Sequence, residues 1–522
     1  RCSASLHPTA KEWTSMIVGK NMSARSLMVM GTASDVGKSV IVTALCRVFA
    51  RAGVRVAPFK SQNMSNNAAV CPGGGEIGRA QAVQAEACGL EPTVDMNPVL
   101  LKPESEVGCQ VVIRGQARFH MRAHEHQRYR DEAWPEIVAS YHALAEQFDL
   151  IIIEGAGSAA EINLRARDMV NWTIAELADA PVLLVADIDK GGVFASLVGT
   201  MVLLSPAERA RVRGFIINKF RGDRRLLESG LRFLEERTGV PVLGVVPYVH
   251  ELRIPQEDAA MLDTAPARSL QKPVMVGVVR LPRISNYTDF APLEDEPDVA
   301  VCYLSDPAAA PPLDVVCLPG SKSTVADLRW VRRVGWEDAI VRHLRDGGWV
   351  VGICGGYQML GQRISDPRRV ESETVETVGL GLLDVVTTFE SEKVTARVSG
   401  QDLTSGLSIS GYEIHAGRVA RRDSARPLFR LTARNGRSVD ELEGAQSTDG
   451  RVWGTAVHGV FDRAPWRRHF LDRVRAGKGL APLAAVTAPE AVTQRLREYD
   501  RLADVVQAHV NLARLTSFVM RV

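Results

Sequence analysis

No stretch of this sequence is apolar for long enough to read as a membrane span. The longest run without a charge, Gly191 to Ala207, is interrupted by three glycines and by Ser, Thr and Pro. It falls short of the roughly 20 apolar residues that a bilayer demands and reads better as a buried helix. Metal-ligand patterning is missing too. The 8 cysteines show no C-x-x-C pair and no histidine at zinc-ligand spacing from them, which argues against a structural zinc or a disulfide scaffold. Charge of one sign is also scarce: Lys+Arg 63 against Asp+Glu 61 leaves +2, so there is no electrostatic footprint for nucleic acid. Internal repeats and low-complexity tracts are absent. What remains, 522 residues of which 46% are hydrophobic and 24% charged, suits two or three globular domains with cores of their own. Arg1 to Asn21 lacks the apolar centre of a signal peptide and reads as an upstream extension, 1–22; the expected location is cytoplasmic.

From Ser26 onward, short apolar runs alternate with helical patterns, the signature of a parallel α/β sheet covered on both faces. Strands are predicted at Leu27–Met30, Val54–Pro58, Leu150–Ile153, Val182–Ala186, Gly214–Ile217 and Val242–Val246. Glu251 to Lys272 is polar, aperiodic and carries two prolines, so it reads as a linker. A second series follows at Val274–Val279, Val315–Leu318 and Trp349–Ile353. The expected architecture is two α/β domains, each a mostly parallel sheet flanked by helices, at 23–250 and 273–466, with a helical segment at 467–522. Val492, Leu496, Tyr499, Ala503, Val506 and Val510 recur every three or four residues behind a Thr487–Glu490 capping box. They predict an amphipathic helix lying on the second domain.

The first predicted strand runs into Gly31-Thr32-Ala33-Ser34-Asp35-Val36-Gly37-Lys38-Ser39, followed by a helix. Backbone N–H groups of such a turn, backed by a helix N-terminus, stabilise phosphate charge; Lys38 would reach the β- and γ-phosphates and Ser39 would ligate Mg²⁺. The spacing departs from the strict phosphate-loop pattern, since Thr32 stands where a glycine is usual and Gly31 lies one residue early. Glu154 ends a buried strand at the sheet edge where α/β folds hold ligands, and Mg²⁺ explains a carboxylate there better than packing does. Asn218 also ends a strand; two readings stand for it, base recognition and a plain turn cap. Asp187 and Asp189 likewise divide between Mg²⁺ ligation and helix capping.

A second chemical centre is Cys354. An apolar strand ends at Val351-Gly352-Ile353-Cys354-Gly355-Gly356 and a helix follows, so the glycines permit a tight turn that projects the thiol beside a helix N-terminus. Such a terminus favours the thiolate form. The nucleophile needs a base, and His458 follows a short strand about a hundred residues later. Gly320, at another strand end, and Gly355 are the candidate oxyanion-hole donors.

The pattern G-T-x-x-D-x-G-K-S resembles the phosphate loop of dethiobiotin synthetase-like ATPases, which activate carboxylates. That resemblance implies ATP contacts from Thr32, Asp35, Gly37, Lys38, Ser39 and Asn218, a catalytic lysine at Lys60 and an Mg²⁺-ligating acid at Glu154. The Cys354 elbow with His458 resembles class I glutamine amidotransferase domains, which release ammonia from glutamine through a thioester. Those domains usually carry a Glu two residues after the histidine, where this chain has Val460, so a Cys354–His458 dyad is the assignment. Lys60–Asn67, Gly74–Ala82, Met96–Pro103, Glu161–Leu164, Asp187–Ala195, Asn218–Asp223, Leu318–Ser323 and Gly411–His415 extend the likeness over most of the chain. Together they resemble the cobyric acid synthase family of cobalamin biosynthesis, with small departures at Cys109 and Ala159.

That family resemblance implies amidation of the b, d, e and g carboxylates of adenosylcobyrinic acid a,c-diamide, using ATP, Mg²⁺ and L-glutamine. Gln62, Asn63, Asn66 and Asn67 are the expected corrin contacts, because amides offer both donors and acceptors; the competing reading has these asparagines stabilising turns. His415 is expected to be structural. The nearest rival is cobyrinic acid a,c-diamide synthase. A rival of another class is a phosphate-loop switch ATPase acting as a binding module, which needs no glutaminase elbow.

Overall fold

A computed structural model describes residues 24–104, 108–122, 126–255, 272–483 and 489–519, with no side chains described for 122 and 126–128. The extension 1–22, most of the expected linker (256–271) and Thr487 of the expected capping box lie outside these residues. Leu27 to Met30, Leu150 to Ile153 and Val182 to Ala186 are almost wholly buried, as continuous apolar runs require when helices cover both sheet faces. They build a six-stranded sheet in the order Val242–Pro247, Val212–Phe220, Val182–Asp187, Arg25–Gly31, Leu150–Glu154, Val56–Phe59, with every neighbour parallel. The Arg25–Gly31 strand sits between the Val182–Asp187 and Leu150–Glu154 strands. The loops after all three therefore open on one crevice.

The second sheet has the order Val299–Leu304, Val274–Val279, Val315–Leu318, Trp349–Ile353, Val452–Thr455, Ala445–Gln446. Its first five strands are parallel and the last is antiparallel. Two further sheets have no counterpart among the predicted strands. Val385–Asp402 and Ser408–Arg421 form a long antiparallel pair that continues through Phe429–Arg434 and Arg437–Glu443. Gln62–Met64, Val99–Pro103, Gly108–Ile113 and Gln116–Arg122 form a mixed four-stranded sheet. These strands alternate buried and exposed residues, or are short, and so lack the continuous apolar runs that mark a buried parallel strand.

The C-terminal helix forms at Ala491–His509, but it does not lie on the second domain. Tyr499, Leu502, Ala503 and Val506 pack with Ile41, Leu45 and Val48 of the Lys38–Arg51 helix and with Leu243 of the first sheet. Arg47 pairs with Asp500 at 2.8 Å, and Val510 bridges to Gly244. Periodicity announces that a helix has an apolar stripe; which open surface receives it depends on the whole fold. The helix that does cover the second sheet is Ala464–Gly477, which buries Trp466, Phe470, Leu471 and Val474.

The two domains meet through buried charge and a small apolar seam. Glu76 accepts from Lys102 of its own domain and from Lys393 of the other, the latter at 2.6 Å. Burial would raise the Glu76 carboxyl, yet the two lysines outweigh it and hold the value at about 2. Ala68, Val70, Leu100 and Val112 pack against Ile414 across the junction. Among the described residues no helix is long and apolar enough to cross a membrane.

Candidate active site

Residues 31–39 form the turn that the sequence announces. Gly37 adopts φ +95 and caps the Lys38–Arg51 helix; a Cβ there would lie 2.2 Å from Asn218 Nδ2, so both backbone and space require glycine. Lys38 Nζ donates to Ala33 O and to Gly157 O, each at 2.9 Å, tying the loops after two adjacent strands together. Ser39 Oγ donates to Glu154 Oε1 at 2.8 Å. Lys60 Nζ reaches the same oxygen at 2.9 Å, and Gln84 donates to Glu154 Oε2 at 2.5 Å. Burial by itself would raise the Glu154 carboxyl, but Lys60, Gln84 and Ser39 outweigh it and hold it below the usual carboxylate range. An ionised, buried carboxylate beside a hydroxyl at a phosphate loop suits Mg²⁺, which takes one or two protein oxygens and completes its shell with phosphates and water.

Other expected phosphate-site residues take supporting positions. Thr32 N–H donates to Val185 O at 3.0 Å and is committed to the sheet. Asp35 is exposed at φ +58, its carbonyl accepting from Lys219 Nζ at 2.6 Å. Asn218 is buried and donates through Nδ2 to Val36 O at 2.9 Å, bracing the loop from beneath. Asp187 pairs with Lys219 at 2.8 Å and accepts from Asp189 N–H at 2.7 Å; Asp189 pairs with Arg221. Of the amides at 62–67, Gln62 and Asn66 keep partial exposure, whereas Asn63 and Asn67 are 3% and 2% exposed. Asn63 Nδ2 donates to Gln81 Oε1 at 2.8 Å and its Oδ1 accepts from Met64 N–H, so its amide is spent inside the fold.

The second site gathers around Cys354. The residue sits between Trp349–Ile353 and a helix at Gly355–Leu360 with φ +51 and ψ −106, a strained conformation for a side chain with a Cβ. Gly356 could not be larger: a Cβ would lie 1.9 Å from Leu318 O, where helix and strand nearly touch. Gly355 lies next to the thiol, and a Cβ on Gly320 would stand 3.1 Å from His458 Cε1, so both glycines border the Cys354–His458 pair. His458 is 1% exposed, and its Nδ1 bonds Asp289 Oδ2 at 2.7 Å. Asp289 is the orienting group that no local pattern reveals; it also accepts from Gly459 N–H at 2.9 Å. Burial favours a neutral imidazole, but Asp289 and Cys354 reverse that and lift His458 to about 10. Tyr412 stacks on the ring, centroids 5.2 Å apart, and Asn286 Nδ2 lies 3.3 Å from Nε2. His415, by contrast, bonds Gly417 O at 2.7 Å on the long antiparallel pair.

A buried thiol, a histidine beside it and a carboxylate behind it form the arrangement that accomplishes acyl transfer. Asp289→Asn is expected to lower glutamine hydrolysis by about 10²- to 10⁴-fold, mostly in kcat, since the amide no longer fixes the imidazole or its charge. The same variant reports on stability. In the wild-type fold His458 is favoured as imidazolium, so its contribution is complete below its unfolded value near 6.5 and is lost as pH rises toward 10. Without Asp289, only Cys354 is left to oppose the effect of burial on the ring. The difference in melting temperature between the two proteins should therefore be wider at about pH 6 than at about pH 10. An equal difference at both would contradict the Asp289–His458 charge pair.

Sequence families agree with this pairing of sites. The family described as "CobQ/CobB/MinD/ParA nucleotide binding domain" matches residues 27–260, and "CobB/CobQ-like glutamine amidotransferase domain" matches residues 275–466. Fold, phosphate loop and thiol site thus define an ATP-dependent, glutamine-hydrolysing amidoligase. A protein of Sorangium cellulosum named cobyric acid synthase is 51% identical over 518 residues, covering 95% of this chain and 99% of that one. Proteins of the same name from Syntrophobacter fumaroxidans and Dehalococcoides mccartyi are each 47% identical, over 507 residues (95% and 99% of the two chains) and 500 residues (94% and 98%). The chain belongs to the cobyric acid synthase family.

Proposed function

We propose that this enzyme amidates the b, d, e and g side chains of adenosylcobyrinic acid a,c-diamide, one carboxylate at a time. The observation that carries the reading is that relatives named cobyric acid synthase match across both domains in a single alignment, so the two sites come as a pair. At the first site a corrin carboxylate attacks the γ-phosphorus of ATP, ADP departs, and an acyl phosphate remains. Lys38 and Lys60 neutralise charge on the transferring group, and the backbone around Gly37 cradles the phosphates. Ser39 and Glu154 would hold Mg²⁺, which supplies further charge neutralisation when bound. Asn218 supports the loop that receives the nucleotide, flanked by Thr32 and Asp35. Gln62 and Asn66, the half-exposed pair of the four amides, contact the corrin, while Asn63 and Asn67 shape the loop that presents them.

At the second site Cys354 Sγ attacks the amide carbon of glutamine and the C–N bond breaks. His458 gives its proton to the leaving nitrogen, with Asp289 holding the imidazole. Gly320 and Gly355 donate N–H groups to the tetrahedral oxygen. Water, activated by His458, then frees glutamate from the thioester. The ammonia attacks the acyl phosphate, phosphate leaves and the amide forms. Mass spectrometry of corrins after incubation with ATP, Mg²⁺, glutamine and adenosylcobyrinic acid a,c-diamide should show four successive acid-to-amide conversions. Amidation of cobyrinic acid itself, with no reaction of the a,c-diamide, would move the acceptor to the a and c carboxylates. With neither corrin reacting, the acceptor reading fails.

A further inference from the structure

One short helix of the first domain touches both chemical sites. Arg79–Ala87 buries Ala80, Gln81, Val83, Gln84, Ala85 and Ala87, so it is a packed element with little freedom to bend. Gln84 lies on it and donates to Glu154. The other end of that amide, Oε1, is buried with no partner among the described residues, so Glu154 holds the side chain from one side only. At the helix start, five residues or about 7.5 Å earlier along the axis, Arg79 bonds Ala68 O at 2.6 Å and the Tyr412 hydroxyl. Its guanidinium carbon lies 5.2 Å from the centroid of the Tyr412 ring. Tyr412 in turn stacks on His458 and exchanges two backbone hydrogen bonds with it, at 3.0 and 2.8 Å.

A second arm leaves the same helix. Glu86 pairs with Arg495 at 2.8 Å, and Arg495 reaches Asp462 at 3.3 Å, four residues beyond His458. The helix thus has one handle on the nucleotide site and two that reach the surroundings of the glutaminase histidine, one through Tyr412 on the Ser408–Arg421 strand and one through Arg495 to Asp462.

We propose that the Arg79–Ala87 helix relays occupancy of the nucleotide site to the glutaminase site, with Gln84 and Arg79 as its positioning residues. The proposal rests on the reading of Ser39 and Glu154 as the metal–nucleotide site. A cation and phosphates arriving there compete with Gln84 for Glu154. Because Gln84 has no alternative hold, its shift is passed to the helix, and through Arg79 to the Tyr412–His458 stack. Ammonia release is thereby favoured when a nucleotide is in place to use it.

The test measures glutamate release by the full-length enzyme in Mg²⁺, with and without a non-hydrolysable ATP analogue and adenosylcobyrinic acid a,c-diamide. The ratio of the two rates is expected to be about tenfold for the wild type, a typical coupling between sites. In Gln84→Leu and Arg79→Met the ratio should fall to within about twofold of one, while Arg79→Lys, which keeps a cation over Tyr412, should recover part of it. The fall should lie in the stimulated kcat, with KM for glutamine unchanged; simple destabilisation would lower both rates together. A wild-type ratio of one, or an unchanged ratio in both variants, overturns the relay. Should Gln84→Leu fail to fold, the Met and Lys variants at Arg79 decide. Ammonia-driven amidation by the same preparations, assayed with ATP in place of the analogue, separates the two readings. If it fails in the wild type, the corrin assignment is wrong, and the ratio with the analogue alone still judges the relay.

Discussion

Replacing Cys354 with serine is expected to abolish glutamine-supported amidation, by about 10⁴-fold or more, while added ammonium salts still support it. The reason lies in how the thiol is held. Its backbone is forced to φ +51 by the strand–helix turn, and its partner His458 is kept charged by Asp289. A serine hydroxyl in the same place does not ionise near neutrality and is a far weaker nucleophile than a cysteine sulfur. The volume change is small, so the site should keep its shape and the other domain its activity. Rates with glutamine and with ammonium chloride, measured side by side on one preparation, check this. Loss of both would show that the two reactions share a single site.

Lys38→Ala should give a different pattern: no amidation with either nitrogen donor, and no acyl phosphate trapped by hydroxylamine. Lys38 is 8% exposed and spans from Ala33 O to Gly157 O, both at 2.9 Å, so it braces two loops besides offering its charge. Alanine removes the group that neutralises the transferring phosphoryl in a partly buried crevice, where one such charge is worth about 10²- to 10³-fold or more. It also leaves two loop carbonyls without their donor, at a cost of about 1–3 kcal/mol. A melting curve run beside the assay separates the two effects. An enzyme that folds yet makes no acyl phosphate supports the phosphate-loop reading, and one that still makes it refutes the reading.

Both variants act on residues that were legible from local sequence. Strand, glycine turn, Lys38-Ser39 and helix occupy one continuous stretch, as do strand, Cys354-Gly355-Gly356 and helix. The chemistry of such motifs lies in the backbone geometry of a few neighbours, and a turn that needs glycine says so in its letters. Glu154 was legible for the same reason, standing at the end of an apolar run.

Asp289 was not legible. It lies 169 positions from His458, in a short turn with no periodicity, and a familiar place for the orienting acid, two residues after the histidine, holds Val460. Gln84 and Tyr412 were hidden likewise, since a glutamine on a helix or a tyrosine on a strand has no letter pattern to mark its partner. The inward turn of Asn63 and Asn67, and the docking of Ala491–His509 on the first domain, belong to the same group. By itself the sequence determined that the chain has two α/β domains, a phosphate loop and a cysteine elbow, because each follows from apolar runs and turn chemistry over a few tens of residues. Tertiary structure alone decided which carboxylate orients His458, which surface the last helix covers, and that the Arg79–Ala87 helix touches both sites. Those choices rest on contacts between segments 70 to 453 residues apart, selected by shape and charge only once the sheets are assembled.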